Sequence, residues 1–585
     1  MKALKISLYL VVGLVVIVVA AVAIFAMTFD PNRYKGDIQR IVKERTGRTL
    51  ELKGPLELAF WPSLGAKVSG VVLSEHGTAQ PFVSLESAHA SVALLALLRG
   101  GVIVDRVRVS GLRAQIVKDK DGRFNFQDLI EQAGEKPAAK AEKKAPDSGK
   151  GTVAFDIAGV TIERAALSYR DLASGQEIAL NDLKLETGRI AENAEGKLDF
   201  ATTLKRNTPP LDARLALNGR YALKPESVAL DFTGKLDEST IKGKAAMARA
   251  KVAAYEFDLN IDKLNLDRYL ASSEKKQEKK GEPAKPAPKD KEADAPVDLS
   301  GLKGLNAKGK VEIGALQVQG LKLAAVKTEI RAADGRAEVG PHSANLYEGS
   351  LSGNLMLDGN ANRVAVKETL SNIAVGPLLR DFAQQDRLEG KGNVTLDVNA
   401  AGKTVNAMKS ALAGSAKVNL KDGAVKGVDI GAIINKARSA LGSQQAQAAA
   451  DGKERTDFSE LNATFAIKNG VAHNDDLDVK APLFRVGGAG DIDVAKSAIN
   501  YVVKAAVVAT TAGQGGKERD NLTGLTVPVK LSGPLDAMKY EVDYRAVAGD
   551  LAKSKVGGQA KEAIEKNRGK VEDQVRDRLK GLLGR

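Results

Sequence analysis

Val394-Thr-Leu396-Asp-Val398-Asn399 places three aliphatic side chains at alternate positions, with Thr395, Asp397 and Asn399 between them. Successive strand residues point to opposite faces, so this run reads as a half-buried strand with one apolar and one wet face. The same period recurs in both directions. Val107 and Val109 alternate with Arg106 and Arg108; Leu351, Leu355 and Leu357 share a face with Gly353. Val527, Val529 and Leu531 mark another strand, and Tyr540, Val542 and Tyr544 alternate with charged residues. Lys120-Asp121-Gly122, Asp334-Gly335, Asp422-Gly423 and Asn469-Gly470 are turn signals between such runs. The pattern predicts a mainly β chain of half-buried antiparallel strands. Gly335, Gly353, Leu357 and Asp358 return at one constant spacing as Gly470, Gly488, Ile492 and Asp493, either as a true repeat or as shared hairpin grammar.

Composition agrees with a turn-rich chain. The 585 residues include 57 glycines, 18 prolines and no cysteine. At about 150 residues per domain the length allows roughly four units, although β architectures often run larger. A 43% hydrophobic fraction excludes wholesale disorder. Without cysteine there are no disulfides, thiolate metal sites or thiol nucleophiles. The 14 Phe, 10 Tyr and 1 Trp are sparse for this length, which argues against a surface that stacks bases or sugars. The net charge is +14, but Lys and Arg are spread among 73 acidic residues with no basic stripe, so no nucleic-acid partner is expected. The excess suits either an anionic phospholipid surface, at roughly 1 kcal/mol per nearby basic residue, or ordinary solubility.

Catalytic constellations are missing. His76, His89, His342 and His473 are scattered and unpaired in sequence, and no zinc or serine-hydrolase signature occurs. Gly304-Leu-Asn-Ala-Lys-Gly309-Lys310 matches most of a phosphate-binding loop, but Val311 stands where Mg²⁺ needs a hydroxyl, and an alternating strand follows. Asp119-Lys-Asp121-Gly122 resembles part of a calcium loop yet continues into Phe124 and Phe126, so a hairpin turn is the expectation. Asp475, Asp476 and Asp478 read as a solvated strand start. The chain is therefore expected to be no enzyme, with no cofactor and no metal.

The run from Ile6 to Met27 carries no charge. A bilayer core of about 30 Å needs about 20 helical residues, so Ile6, Leu10, Leu14, Ile17, Val22 and Phe25 are expected to span a membrane. Lys2 and Lys5 precede the run and hold the amino terminus in the cytoplasm. Ala21-Val22-Ala23 has the form of a cleavage site, but signal h-regions extend only about 7–15 residues, which favours an uncleaved anchor. The remainder would be exported, into a bacterial periplasm facing an inner membrane. Tyr34, Ile38, Ile41 and Val42 fall on one face of a short helix that stops at Gly47. Residues 135–150 and 272–297 are charged, Ala- and Pro-rich linkers. A helix is expected from Ile430 towards Ala450. The charged tail 550–585, with Val571, Val575, Leu579 and Leu582 on one side, would meet a partner, a membrane surface or neither.

The order of short motifs resembles the AsmA family of Gram-negative envelope proteins. Those motifs are Arg45-Thr46-Gly47-Arg48-Thr49-Leu50, Gly54-Pro55-Leu56-Glu57-Leu58, Leu97-Leu98-Arg99-Gly100, Val104-Asp105-Arg106-Val107, Gly111-Leu112 and Asp121-Gly122-Arg123-Phe124-Asn125. In the second half come Tyr347-Glu348-Gly349, Leu388-Glu389-Gly390-Lys391-Gly392, Leu412-Ala413-Gly414, Lys421-Asp422-Gly423-Ala424, Pro528-Val529 and Leu531-Ser532-Gly533-Pro534-Leu535. Phe126 departs from the tryptophan the family often has there. The resemblance implies an elongated, curled antiparallel β-sheet with an apolar groove, a transmembrane helix and a few short amphipathic helices. It implies a membrane anchor over 1–29, a chorein-like cap over 30–134, a central β region over 151–271 and a carboxyl-terminal β region over 298–549.

Such proteins are similar to bridge-like lipid-transfer proteins. The implied role is outer-membrane biogenesis, with phospholipid bound and moved along the groove between envelope membranes. The alternative is an assembly factor that influences outer-membrane protein assembly without carrying lipid. Phospholipids, the inner membrane and an outer-membrane or assembly-machinery protein are the implied partners. Candidate groove residues are Val107, Val109, Leu351, Leu355, Leu357, Val394, Leu396, Val398, Val527, Val529 and Leu531.

Overall fold

Alternating runs become strands along almost the whole described chain. The computed structural model describes residues 30–546 apart from 60–62, 94–102, 135–155, 209, 250–251, 271–295, 428, 433–454, 483, 508–525, 536–537 and 544. The expected membrane-spanning residues Ile6, Leu10, Leu14, Ile17, Val22 and Phe25 lie outside these residues, as do Leu97-Leu98-Arg99-Gly100, the 135–150 linker, most of 272–297, the helix expected from Ile430 towards Ala450 beyond its first three residues, and the 550–585 tail. No helix among the described residues is long and apolar enough to cross a membrane. The chain divides into two compact units, Met1–Gln277 and Glu278–Arg585.

The first unit opens with a 3₁₀ turn, Pro31–Tyr34, and helix α1, Lys35–Thr46. Gly47 ends α1 in the left-handed region at φ +67°, the stop the sequence predicts. The helix does not pack as its apolar spacing suggests: Tyr34, Ile38 and Ile41 are exposed, and only Val42 of the four is half-buried. The expected common face thus splits, because the half-buried side of the helix runs through Lys35, Gln39, Val42 and Thr46.

Six strands follow: β1 (Leu50–Leu52), β2 (Leu56–Ala59), β3 (Ser63–Ser74), β4 (Pro81–Ala93), β5 (Ile103–Ser110) and β6 (Arg113–Lys118). After them comes helix α2, Gln127–Gly134. The sheet continues through β7 (Asp156–Asp171), β8 (Glu177–Thr187), β9 (Ile190–Ala191), β10 (Glu195–Arg206) and β11 (Leu211–Lys224). It reaches β12 (Ser227–Leu236), β13 (Ser239–Ala248) and β14 (Ala254–Asn265). β1 and β2 both pair with β3, and β8 leads through β10 to β14 as a meander.

One pairing departs from the antiparallel expectation. β5 and β6 lie one after the other along β7, both parallel to it. A parallel neighbour requires a crossover of a dozen or more residues, and the stretch from Lys118 to Asp156 that contains α2 supplies it.

The second unit is a meander in which consecutive strands pair antiparallel: β15 (Asn306–Val318), β16 (Leu321–Ala333), β17 (Arg336–Leu346), β18 (Gly349–Asp358), β19 (Arg363–Ala374), β20 (Leu388–Ala401) and β21 (Ala413–Lys426). It ends with β22 (Arg455–Lys468), β23 (Val471–Lys480), β24 (Phe484–Asp493), β25 (Ala498–Val507), β26 (Thr526–Pro534) and β27 (Lys539–Val542). Helix α3, Val375–Ala383, connects β19 to β20, and α4, Val405–Ser410, connects β20 to β21. Gly309 and Lys310 lie inside β15, so the loop-like motif there is a strand. The end of the second charged segment is anchored, since Pro296 bridges to Thr404 and the Val297 N–H donates to the Lys403 carbonyl.

Turn chemistry is followed at three of the four Asp/Asn-Gly signals, and Asp121-Gly122 is one of them, with the Gly122 N–H donating to the Asp119 carbonyl at 3.2 Å. Asp334-Gly335 and Asn469-Gly470 form two-residue hairpins with both residues at positive φ. Asp422-Gly423 does not turn the chain. It lies within β21, where both residues oppose the single Gly390 of β20 as a bulge. Asp475 and Asp476 are likewise not a strand start but occupy a bulge in the middle of β23.

The constant spacing between the two glycine sets is structural repetition. Arg336 pairs with Asp358 as Val471 pairs with Asp493, and Asp358 with Arg363 as Asp493 with Ala498. The bulge between Val339 and His342 recurs between Asn474 and Leu477. The Gly359 and Val494 N–H groups donate to the carbonyls of Gly335 and Gly470, both at 2.8 Å. Shared grammar does not reproduce a bulge and two registers together, so β16–β19 and β22–β25 are copies of one unit.

Candidate functional site

An extended apolar assembly lies on one face of the second unit. Ile373, Leu420 and Val527 have no exposed surface there, and Leu346, Phe458, Val479, Val486, Ala505 and Val529 are buried with them. Leu351, Leu370, Val394, Val418 and Leu531 pack against this cluster. Opposite residues of the same strands, such as Lys367, Asp397, Lys417 and Lys530, are exposed. The face is the period-two pattern realised across many strands.

Within it lies a cavity of about 160 Å³. Its lining includes Val425 on β21, Phe458 and Leu461 on β22, Leu477 and Val479 on β23, Val486 on β24, Val503 and Ala505 on β25, and Val527, Val529 and Leu531 on β26. In a flat sheet β21 and β26 would stand about 24 Å apart, at about 4.8 Å per strand. Both border one small cavity, so the sheet curls and its apolar face is the concave one. Thr456 is the polar lining residue, and its hydroxyl accepts the Ile430 N–H at 3.0 Å.

Two tyrosines hold the edges of this face. The Tyr501 hydroxyl donates to Asn474 Oδ1, and Asn474 donates to the Thr464 carbonyl at 2.9 Å. Burial first, then the charges of Asp476 and Asp475, push the Tyr501 phenol up to about 12. Tyr347 donates to Asp381 on α3 at 2.8 Å, which fixes the helix whose Leu378 and Leu379 pack on the cluster. Burial and that carboxylate push Tyr347 up to about 12 as well.

The candidate groove residues separate into groups. Val527, Val529 and Leu531 line the cavity, and Leu351 and Val394 join its surrounding cluster. Leu355, Leu357, Leu396 and Val398 share the inward faces of β18 and β20. Val107 and Val109 belong to the first unit, opposite Val160 and Ile162 of β7. Leu477, Val479, Val503 and Ala505 line the cavity without being among the candidates, although Asp478 and Lys504 between them carry the same period-two signal.

Three of the four histidines differ from their unpaired appearance in sequence. His342 Nε2 lies 3.0 Å from Glu368 Oε2, His473 Nδ1 lies 2.7 Å from Asp491 Oδ1, and His76 Nδ1 lies 3.4 Å from Asp128 Oδ2. None belongs to a metal-ligand set, since no group of three or more such side chains capable of holding an ion occurs among the described residues. The Asp119 loop is a turn: Asp119 Oδ1 accepts the N–H groups of Asp121 and Arg123.

In the first unit, two of the short motifs, Arg45-Thr46-Gly47-Arg48-Thr49-Leu50 and Asp121-Gly122-Arg123-Phe124-Asn125, meet at one buried arginine. Arg48 has no exposed surface. Its Nε and Nη2 donate to Asp128 at 2.8 and 2.6 Å, Nη1 to the Ser74 carbonyl at 3.0 Å, and Nη2 also to the Asn125 carbonyl at 2.6 Å. The guanidinium lies 4.7 Å from the centre of the Phe82 ring. Its hydrogen bonds hold the Asp128 carboxyl below the usual carboxylate range. Asn32 joins a third motif, Gly54-Pro55-Leu56-Glu57-Leu58, to the first turn, accepting the Leu56 N–H and donating to the Leu56 carbonyl. These contacts are a structural clasp with each guanidinium nitrogen engaged, so the motifs encode how the unit begins rather than a reacting centre.

Residues 1–255 and again 222–477 match the AsmA family. The chain is also similar to Protein AsmA of Escherichia coli (strain K12), at 21% identity over 583 residues that cover 90% of this chain and 92% of that protein.

Proposed function

The chain belongs to the AsmA family, and from that premise we propose that it is an inner-membrane-anchored periplasmic protein of outer-membrane biogenesis that binds phospholipid and transfers it between envelope membranes. The apolar run 6–27 would be the single membrane pass, with the bulk of the chain in the periplasm.

The observation that carries this reading is the concave aliphatic face of the second unit with its apolar cavity. A sheet with one apolar and one polar face needs a cover on the apolar side. Acyl chains meet that need while the headgroup remains in water. Each CH₂ removed from water contributes about 0.8 kcal/mol, so even a few methylenes in the cavity hold a lipid against the aqueous phase. At about 160 Å³ the cavity takes a segment of one chain, and the rest of the lipid would lie along neighbouring aliphatic rows. A wall of Val, Leu, Ile and Ala favours no single location strongly, which suits sliding. No step requires a catalytic residue.

Photoreactive side chains on β26 test the proposal. Position 531 faces the cavity and position 530 faces outward, so phospholipid should crosslink at 531 and not at 530 in the full-length protein in membranes. Equal capture at both, or none at either, rejects the reading.

A further inference from the structure

The two copies of the repeat differ at a pair of inward positions. Leu477 and Val503 line the apolar cavity. Their counterparts in the earlier copy are His342 and Glu368, which meet at 3.0 Å with side chains only 16% exposed. Register establishes the equivalence, since His342 opposes Gly353 and Gly353 opposes Glu368, as Leu477 opposes Gly488 and Gly488 opposes Val503. The pair joins across the middle strand because Gly353 has no side chain; a Cβ there would overlap the Glu368 carboxylate.

His342 shares its face with Ala344 and Leu346, both buried, and Glu368 shares its face with Val366 and Leu370. Aliphatic rows flank the pair on both sides, Leu351–Leu370 on one and Leu355–Val366 on the other. The second ring nitrogen, Nδ1, lies 3.1 Å from the Val339 carbonyl oxygen. Both ring nitrogens therefore face oxygen atoms, and the two polar contacts fix the ring between the aliphatic rows.

We infer that the His342–Glu368 pair is a polar stop in the aliphatic wall, which confines phospholipid acyl chains to the compartment over β21–β26 and excludes them from β17–β19. This rests on the lipid-binding reading above. An acyl chain laid over the pair would strip its remaining water and return no hydrogen bond, whereas the same chain over Leu477 and Val503 removes only apolar surface from water. The difference between the copies thus sets where along the repeated wall a chain can lie.

The test uses the full-length protein with a photoreactive side chain at position 531, in the compartment, or at position 355, beside the pair. The probe is radiolabelled dioleoyl phosphatidylglycerol in vesicles. Capture should be at least about tenfold stronger at 531 than at 355. The variant H342L/E368V copies the second repeat and should raise capture at 355 by about tenfold without lowering it at 531. H342Q/E368Q keeps the station polar and should leave the ratio unchanged. Equal capture at 355 and 531 without substitution overturns the inference and needs no variant to fold. An unchanged ratio in a folded H342L/E368V overturns it too. Capture at neither position in the unsubstituted protein rejects the lipid reading itself, an outcome distinct from both.

Discussion

Replacing Arg48 by Met keeps the length of the side chain and removes its charge and every hydrogen bond it donates. Two bonds to Asp128 disappear, and the carbonyls of Ser74 and Asn125 lose their donor. Breaking a buried ion pair from one side costs about 3–5 kcal/mol. Asp128 keeps 20% of its side chain exposed and regains some water, which places R48M near the lower end, about 3 kcal/mol. Because a chain of two compact units need not unfold in one step, the effect is read on the urea transition that R48M moves, followed by circular dichroism. With an m-value of about 2 kcal/mol per M in urea, the midpoint should fall by about 1.5 M. R48K should recover only part of this, because one ammonium cannot reach the carboxylate and both carbonyls at once.

The same clasp has a pH signature. Asp128 is held below its ordinary value by Arg48, so its contribution is fully present above the unfolded carboxylate pKa of about 4 and is lost as pH falls through the lower folded value. The gap between the unsubstituted protein and R48M should be flat from about pH 8 to about pH 5 and narrow only below about 4. A midpoint shift under about 0.3 M at neutral pH, or a gap that grows as pH falls, would refute the account of Arg48.

Gly353→Val should destabilise the second unit by at least about 2 kcal/mol, since its side chain would collide with the Lys367 carbonyl and the Glu368 carboxylate; an unchanged thermal midpoint by circular dichroism would contradict the packing described. Tyr501→Phe leaves Asn474, 1% exposed, without its hydroxyl donor and should cost about 1–3 kcal/mol in a urea titration. Absorbance titration of the phenols should show Tyr347 and Tyr501 ionising near pH 12. Because these values are raised, the stability they contribute is whole below the unfolded value of about 10 and declines as pH rises towards about 12. Gly423→Ala should be costly although the residue is not in a turn, since a Cβ there would overlap the Phe458 ring and the Glu389 carbonyl; a neutral result by the same urea measurement would remove the bulge as its explanation.

Period-two alternation was legible throughout, and it located the strand carrying Val394, Leu396 and Val398, the strand carrying Val527, Val529 and Leu531, and the aliphatic character of the wall. Asn469-Gly470 and Asp334-Gly335 announced their hairpins because positive φ at both positions is a local demand. Asp422-Gly423 shows the limit of that logic: the same dipeptide serves a bulge, and only its partner Gly390 on the preceding strand decides between the two. For α1, helical spacing identified the apolar residues but not which of them would meet the sheet.

The half-buried strands, the Gly47 helix stop and the constant spacing from Gly335 to Gly470 were determined by the sequence itself, because side-chain alternation and backbone dihedral preference act over a few neighbouring positions. The tertiary structure alone decided the parallel placement of β5 and β6 along β7, the curl that brings β21 and β26 to one cavity, the burial of Arg48 against Asp128, and the meeting of His342 with Glu368. Each depends on which strands become neighbours and in what register, and a register is chosen by the sum of contacts along two strands. A lone histidine and a lone glutamate on separate strands carry no periodic signal, and they become a pair only when the strand between them presents a glycine.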